Sequence, residues 1–252
     1  MPQLGISSSL VYPSFAQEAV EANTYYIPLD GVDDHVAGSV TSPSFADTSF
    51  TISMWVKFTF GSSKPLFSIG GAKSSPLIYL DSNTSNELFF VVNDGATNVV
   101  SQTSTAAIPS ELSNTWMNVV VIFDKGADIT FMANGVRVGD VITETDNTSI
   151  SITGNFFLGR RGSNYLLGDL DTTIIWRSAL GETEILEAYT AGQLFDPRTD
   201  AGNYASSADL VAWYKMGDGT EAGSGSTVYD MSDDSREPNN LTIWGLTGFT
   251  EL

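Results

Sequence analysis

Short alternations of apolar and polar residues dominate this chain, and long apolar stripes are rare. From Thr24 the runs TYYIPL, HVAGSV, FTISMWVKFTF, PLFSIGG, LIYLD, ELFFVVNDG, TWMNVVVIFD, ITFMANGVRVGD, SITGNFFLG and LDTTIIW succeed one another. Most are parted by Gly, Asn, Asp, Ser or Pro clusters, the punctuation of strands and turns. In FTISMWVKF, Phe50, Ile52, Met54, Val56 and Phe58 share one face, and Thr51, Ser53, Trp55 and Lys57 the other. That is the period of two of a β-strand. Asn134-Gly135 inside MANGVRV predicts a two-residue hairpin, because both positions tolerate positive φ. One helix is predicted late, over ETEILEAYTAG, with Ile185, Leu186 and Tyr189 as its apolar stripe and Gly192 as its C-terminal stop. Two more strands are expected at LVAWYKM (210–216) and LTIWGLT (241–247), separated by a long polar loop. The pattern specifies an all-β antiparallel sandwich with one short helix. Residues 1–22, with few strand signals, read as an extended arm. Residues 23–252 read as one sandwich, to which 210–252 add C-terminal strands.

Composition supports this. Hydrophobic residues make up 42% of the 252, enough for a sizeable core, and charged residues only 16%. The surface must therefore rely on Ser, Thr, Asn and Gly. The net charge is −19, from 11 Lys and Arg against 30 Asp and Glu. A field of that sign repels phosphate backbones and anionic lipid, which argues against nucleic acid and membrane surfaces as partners. Cysteine is absent, so disulfides and thiolate metal sites are excluded. MPQLGISSSLVYPSF has neither a basic start nor an apolar core of signal-peptide type. No apolar run approaches the roughly 18 residues of a membrane helix. A protein without an export address that acts outside a cell must leave by another route, and assembly into a phage particle is one.

The ordered segments YIPLDGVDDHV, FTISMWVKF, TWMNVVVIFDKGADITFMANGVRVG and FFLGRRGSNYLLGDLDTTIIWRSALGETEILEAYTAG resemble a laminin G-like domain of the concanavalin A-like lectin/glucanase superfamily. The resemblance runs from about residue 24 to 192 and implies a jelly-roll sandwich of two antiparallel sheets. LVAWYKMGDG, VYDMS and NNLTIWG, which in such domains usually precede the DGVDD strand, here follow the helix. That order is similar to proteins encoded by marine phages and their hosts. It implies that the C-terminal strands complete a sheet. It implies no chemistry, because this fold hosts lectins, glycosidases, adhesion modules and capsid-surface domains.

The stretch LDGVDDHV gathers Asp30, Asp33, Asp34 and the chain's single histidine, His35. Carboxylates beside a turn-forming glycine suit Ca²⁺, which takes six to eight oxygen ligands. They suit an acidic turn equally well. The resemblance adds Asp171 as the late aspartate that would share a structural calcium. Glucanases of the superfamily carry Glu-x-Asp-x-x-Glu on one strand, and no such triplet occurs here. The nearest echo, Asp169-Leu170-Asp171-Thr172-Thr173-Ile174, lacks the third acid. With no GxSxG elbow, His35 has no nucleophile to serve. The three acids beside it would raise its pKa, and no role is assigned to it.

Glycan binding asks for aromatic surfaces beside polar groups. Tyr25, Tyr26, Trp55, Trp116, Tyr165, Trp176 and Trp213 are the aromatic candidates. Trp55, opposite the apolar face of its strand, could be exposed or covered. Arg160 and Arg161, followed by Tyr165 in RRGSNY, form a polar loop that suits sugars or a protein neighbour; a solvated hairpin tip is the plain alternative. The extended arm and the long acidic loop 218–237 are devices by which assembly proteins clasp neighbours. The expected function is therefore non-enzymatic: a virion decoration protein of capsid surface, tail or fibre, itself glycan-adhesive in one form. The alternative is a secreted or surface lectin-like module that depends on calcium. A glycoside hydrolase ranks last. Expected partners are other virion proteins, host surface glycans and further copies of the chain, at the virion surface or outside the cell.

Overall fold

The computed structural model describes residues 25–39, 45, 47–70, 77–95, 98–146, 152, 154–216, 223–232, 239–246 and 248–251. The expected arm over 1–22 lies outside these residues, as do residues 218–222 and 233–237 of the expected loop. The strands in chain order are β1 (Tyr25–Asp30), β2 (His35–Ser39), β3 (Phe50–Lys57), β4 (Lys64–Gly70), β5 (Leu77–Ser82), β6 (Leu88–Asn93), β7 (Asn98–Thr103), β8 (Met117–Asp124) and β9 (Asp128–Ala133). The short β10 (Val136–Arg137), β11 (Ile142–Thr143), β12 (Asn155–Leu158), β13 (Arg160–Arg161) and β14 (Asn164–Tyr165) lead to the long β15 (Leu167–Trp176). The helix α1 (Glu182–Ala191) follows, then β16 (Leu210–Tyr214), β17 (Gly223–Ser224), β18 (Thr227–Val228), β19 (Leu241–Trp244) and β20 (Thr250–Glu251).

Two sheets form the sandwich. The first runs β10-β9-β8-β3-β15-β1-β20, with β11 also on β9 and β16 on β15. The second runs β17-β18-β19-β2-β12-β4-β5-β6-β7. The alternation read from the chain fills the space between them. Phe50, Ile52, Met54 and Val56 of β3 meet the core with Val119, Val121, Phe131 and Leu170 of neighbouring strands and Phe67, Ile78, Leu80, Phe90 and Phe156 of the other sheet. At roughly 1.5–3 kcal/mol per fully buried large side chain, this layer supplies the main drive to fold. The Asn134-Gly135 turn adopts φ 50 and 73, as its hairpin requires.

The first sheet is covered on its outer face as well. Val120, Ile122, Met132, Ile174 and Trp176 pack there against Leu180, Ile185, Tyr204, Leu210 and Trp213. The polar side of β3 is thereby buried, and its groups find partners. Thr51 Oγ1 donates to the Ser178 carbonyl at 2.8 Å and accepts from the Leu180 amide at 3.0 Å. Asn118 Nδ2 donates to Ser53 Oγ at 2.8 Å. Such pairing is what makes burial of polar side chains affordable in free energy.

The C-terminal strands join both sheets. β16 pairs with the second half of β15, β20 with the start of β1, and β19 with β2 through Thr242–Ala37, Ile243–Val36 and Trp244–His35. Among the described residues no helix is long and apolar enough to cross a membrane.

Candidate functional site

The outer face of the second sheet is where the chemistry gathers. The loop from β1 to β2 forms its edge. Asp30 Oδ1 accepts from the amide of Val32 at 2.7 Å and, more weakly, from those of Asp33 at 3.3 Å and Asp34 at 3.5 Å. Asp34 Oδ2 accepts the Asp30 amide at 3.0 Å. The acidic residues thus tie the turn, with Gly31 at φ 76 placed so close to Leu167 that a Cβ there would meet Leu167 Cβ at 2.8 Å. The Val32 amide, with those of Asp33 and Asp34, holds the exposed Asp30 carboxyl below its ordinary pKa. Burial, with the neighbouring negative charges, pushes Asp34 above its own. One ligand oxygen from each of Asp30, Asp33 and Asp34 lies within 4.8 Å of the others.

Asp171 is not brought to this loop. Asp30 pairs with Leu167 across β1 and β15, and Asp171 lies four residues further along, roughly 13 Å away at strand rise. It is fully buried in a β-bulge, its Oδ1 accepting the Thr172 amide at 2.6 Å. Asp169, its companion in the echo of the glucanase pattern, pairs with Lys57 at 3.2 Å.

His35 begins β2 on the outer face and is only 7% exposed. Its Nδ1 sits 2.9 Å from the Asp33 carbonyl and its Nε2 3.0 Å from Arg160 Nη1. A guanidinium only donates, so Nε2 must accept, and the ring proton is placed on Nδ1, donating to Asp33. The expectation of a raised pKa is corrected here. Burial lowers it first, and the Arg160 charge adds to that against the hydrogen bond His35 donates to the Asp33 carbonyl and the nearby carboxylates. His35 is a neutral link between the acidic turn and an arginine.

The hairpin β13–β14 folds over the same face, anchored where Ser68 Oγ donates to the Arg160 carbonyl at 2.7 Å. The Arg160 guanidinium lies 5.1 Å from the Phe157 ring centre and 5.4 Å from that of Tyr165, and its Nε donates to the Gly162 carbonyl at 3.0 Å. Arg161 turns the other way. Its Nε and Nη2 reach one oxygen of Asp81 at 2.9 and 2.6 Å, and it covers the Tyr79 ring at 4.4 Å. Burial raises the Asp81 carboxyl, and the guanidinium offsets part of that rise.

Trp244 completes the patch. Its register opposite His35 stacks the two rings almost parallel, with centres 6.1 Å apart, and leaves the indole 55% exposed. Tyr165 stands 5.8 Å from His35 on another side. Arg160 and Tyr165 are therefore brought together, while Arg161 faces Asp81 and Tyr79. Trp55 is not with them. It is 9% exposed on the opposite sheet, stacked on Tyr189 of α1 at 5.8 Å, because the helix rather than solvent covers that face. Trp176 and Trp213 are buried in the same layer. Trp116 is capped edge-on by Tyr26 at 5.9 Å. Phe157, Asp81 and Trp244 were not singled out by sequence reasoning, and His35 was singled out but given no role. The alternation in LTIW, with Leu241 and Ile243 inward and Thr242 and Trp244 outward, was the available signal for the last.

The fold agrees with known proteins. Residues 30–186 match a laminin G-type family model described as the concanavalin A-like lectin/glucanases superfamily. Among solved structures, a Bacteroides ovatus protein provisionally described as carbohydrate binding aligns at 19% identity and TM-score 0.59, over 89% of this chain and 61% of that one. The chain thus spans less than two thirds of that relative's length. The heptameric SAP-like pentraxin of Limulus polyphemus aligns at 17% identity and TM-score 0.51, over 78% of this chain and 94% of that one. No curated protein sequence matches significantly.

Proposed function

Because the chain belongs to the concanavalin A-like lectin/glucanases superfamily, in its laminin G-like branch, we propose that it is a non-catalytic, glycan-binding module acting outside the cell. The observation that carries the reading is Trp244, an indole 55% exposed and stacked on His35. An aromatic plane offers the apolar face of a sugar ring its complement, while nearby donors and acceptors take the hydroxyls. Arg160 and Tyr165 supply those groups, held in place through His35. The particle-structural alternative draws on the arm and on parts of the 218–237 loop that lie outside the described residues. The face itself favours adhesion.

A glycan array is the direct test. Hits are expected, with Trp244→Ala weakening them about tenfold or more, in the range of an interface anchor, and leaving the melting temperature nearly unchanged because the ring is mostly exposed. An array without hits would sink the proposal.

Calcium belongs to the proposal only through Asp30, Asp33 and Asp34. Their oxygens, within 4.8 Å of one another, match the span of an ion whose ligands lie at about 2.3–2.6 Å. Those residues fit the ion, although Asp30 Oδ1 already accepts backbone amides. An ion there would brace the turn that carries His35. Thermal titration should show millimolar Ca²⁺ raising the melting temperature by linkage to the folded state, and Asp33→Asn should reduce the rise. A melting temperature indifferent to Ca²⁺ leaves the loop as a turn held by its own hydrogen bonds.

A further inference from the structure

Arg160 differs from the other described arginines. Lys57, Lys125, Arg137, Arg161, Arg177 and Arg198 each lie within ion-pair distance of an aspartate or glutamate. Arg160 enters none of the ion pairs among the described residues, in a chain where acids outnumber bases 30 to 11. Its immediate surroundings are a neutral imidazole, two aromatic rings and a carbonyl. These fix the guanidinium in orientation without compensating its charge. A half-buried cation so placed has room for a counter-charge from outside the chain.

Donor counting says what shape that counter-charge should have. A guanidinium carries five N–H groups in a rigid fork. Nε is engaged by the Gly162 carbonyl and one Nη1 hydrogen by His35. When His35 takes the Nη1 hydrogen on the Cδ side, the other Nη1 hydrogen and one on Nη2 are left side by side at the end of the fork. That pair matches the two oxygens of a planar carboxylate, the geometry in which arginine makes its strongest contacts. Arg161, one residue on, cannot serve, since Asp81 already takes its Nε and Nη2 at 2.9 and 2.6 Å. The exposed Trp244 stacks on a face of the same imidazole whose Nε2 edge meets Arg160. A sugar ring on the indole would therefore have its substituents beside the Arg160 fork.

We propose that the glycan bound by this face is acidic, and that Arg160 recognises its carboxylate. The inference rests on the glycan-binding reading above and adds the ligand class. Two charges oppose it: the net −19 of the chain and the aspartates of the adjacent turn. The first acts at long range and is screened beyond about 8 Å at physiological ionic strength, whereas a hydrogen-bonded contact is screened far less. The second lies on the Nδ1 side of His35, with Arg160 on the Nε2 side. The contact is then expected to decide.

The test compares three probes at about 0.15 M salt by calorimetry: an oligogalacturonate, its neutral methyl ester and a sulfated galactan fragment. The acid should bind at least about tenfold more tightly than its ester, the effect of one charge-assisted bidentate contact. Arg160→Gln should remove that preference, so that acid and ester bind alike. Arg160→Lys, which keeps the charge and loses the fork, should retain part of it. Equal binding of acid and ester overturns the inference and leaves the glycan-binding reading standing. A preference for sulfate over carboxylate overturns it too. Should none of the probes bind, and a broad array of neutral glycans also give no hits, the underlying reading falls first. Hits on neutral glycans alone would refute only the acidic class.

Discussion

Replacing Arg161 with alanine lowers the stability of the fold by about 3–5 kcal/mol, the usual cost of removing one partner from a buried ion pair. For a chain of this size that is a fall in melting temperature of roughly 6–20 °C. Asp81 is the reason. It is 2% exposed, one oxygen is held by Arg161, and the other, Oδ1, is buried with no hydrogen bond among the described residues. Without the guanidinium a carboxylate is left in the sheet face with nothing to balance its desolvation. The loss has a pH signature. Burial already raises the Asp81 pKa, and losing Arg161 raises it further. The folded variant then holds its proton more tightly than the unfolded chain. Its stability therefore improves as pH falls through the raised folded pKa toward the ordinary carboxylate value, and the deficit is largest at neutral pH. Arg161→Leu combined with Asp81→Leu should recover most of the loss, since an apolar pair leaves no stranded charge. Denaturant unfolding at pH 7 and pH 5 measures both effects. A cost below about 1 kcal/mol would mean the pair behaves as a surface bridge and does not anchor the hairpin. Because Arg160 is the preceding residue on that hairpin, the variant should also lose glycan affinity without Arg161 touching the ligand.

Much of this fold was legible before any coordinates. Period-two runs survive as strands because each buries one face against the opposite sheet, and the Asn134-Gly135 turn and α1 depend on local backbone preferences that a short stretch of chain carries. The site was legible only where chemistry and sequence proximity coincide, as in RRGSNY and LDGVDDHV. Trp244 lies more than two hundred residues from His35 in sequence, and the two meet only because β19 pairs with β2. No local pattern carries that register. Trp55 failed for the complementary reason. Alternation assigned it correctly to the outer face of β3, but whether an outer face meets water depends on where a helix from 130 residues later is laid. Asp171 failed because a resemblance carries residue types and order, whereas metal ligation depends on register. The pairing of Asp30 with Leu167 moves Asp171 along the strand and away from the turn. His35 was misjudged in sign. Counting the acids nearby predicts a raised pKa, yet desolvation and a single arginine outweigh them, and both are properties of the folded face.

The arrangement also separates support from recognition. The outer layer of the first sheet holds the fold together, and the outer face of the second carries the patch. Trp176→Ala tests that separation. The side chain is fully buried, and its Nε1 donates to the Tyr204 hydroxyl at 2.8 Å, which in turn donates to the Pro197 carbonyl at 2.7 Å. Removing the indole opens a cavity beneath α1 and leaves the Tyr204 hydroxyl without its donor, so about 3–5 kcal/mol of stability should be lost. Burial holds the Tyr204 phenol neutral well beyond its ordinary range, so this cost does not vary between pH 5 and 8, unlike that of Arg161→Ala. Glycan affinity should be unchanged at temperatures where the variant remains folded, because Trp176 belongs to a packing cluster that contains none of Trp244, His35, Arg160 or Tyr165. Two variants of similar instability would then differ in binding, one silent and one impaired. The measurement is a denaturation curve beside a binding isotherm at 15 °C for each. If Trp176→Ala weakens binding as much as it weakens the fold, the sheets are mechanically coupled and the patch is not a self-supporting site. If only Arg161→Ala does so, recognition is built from the hairpin and β19 alone, on a sandwich whose other face can vary without altering the ligand.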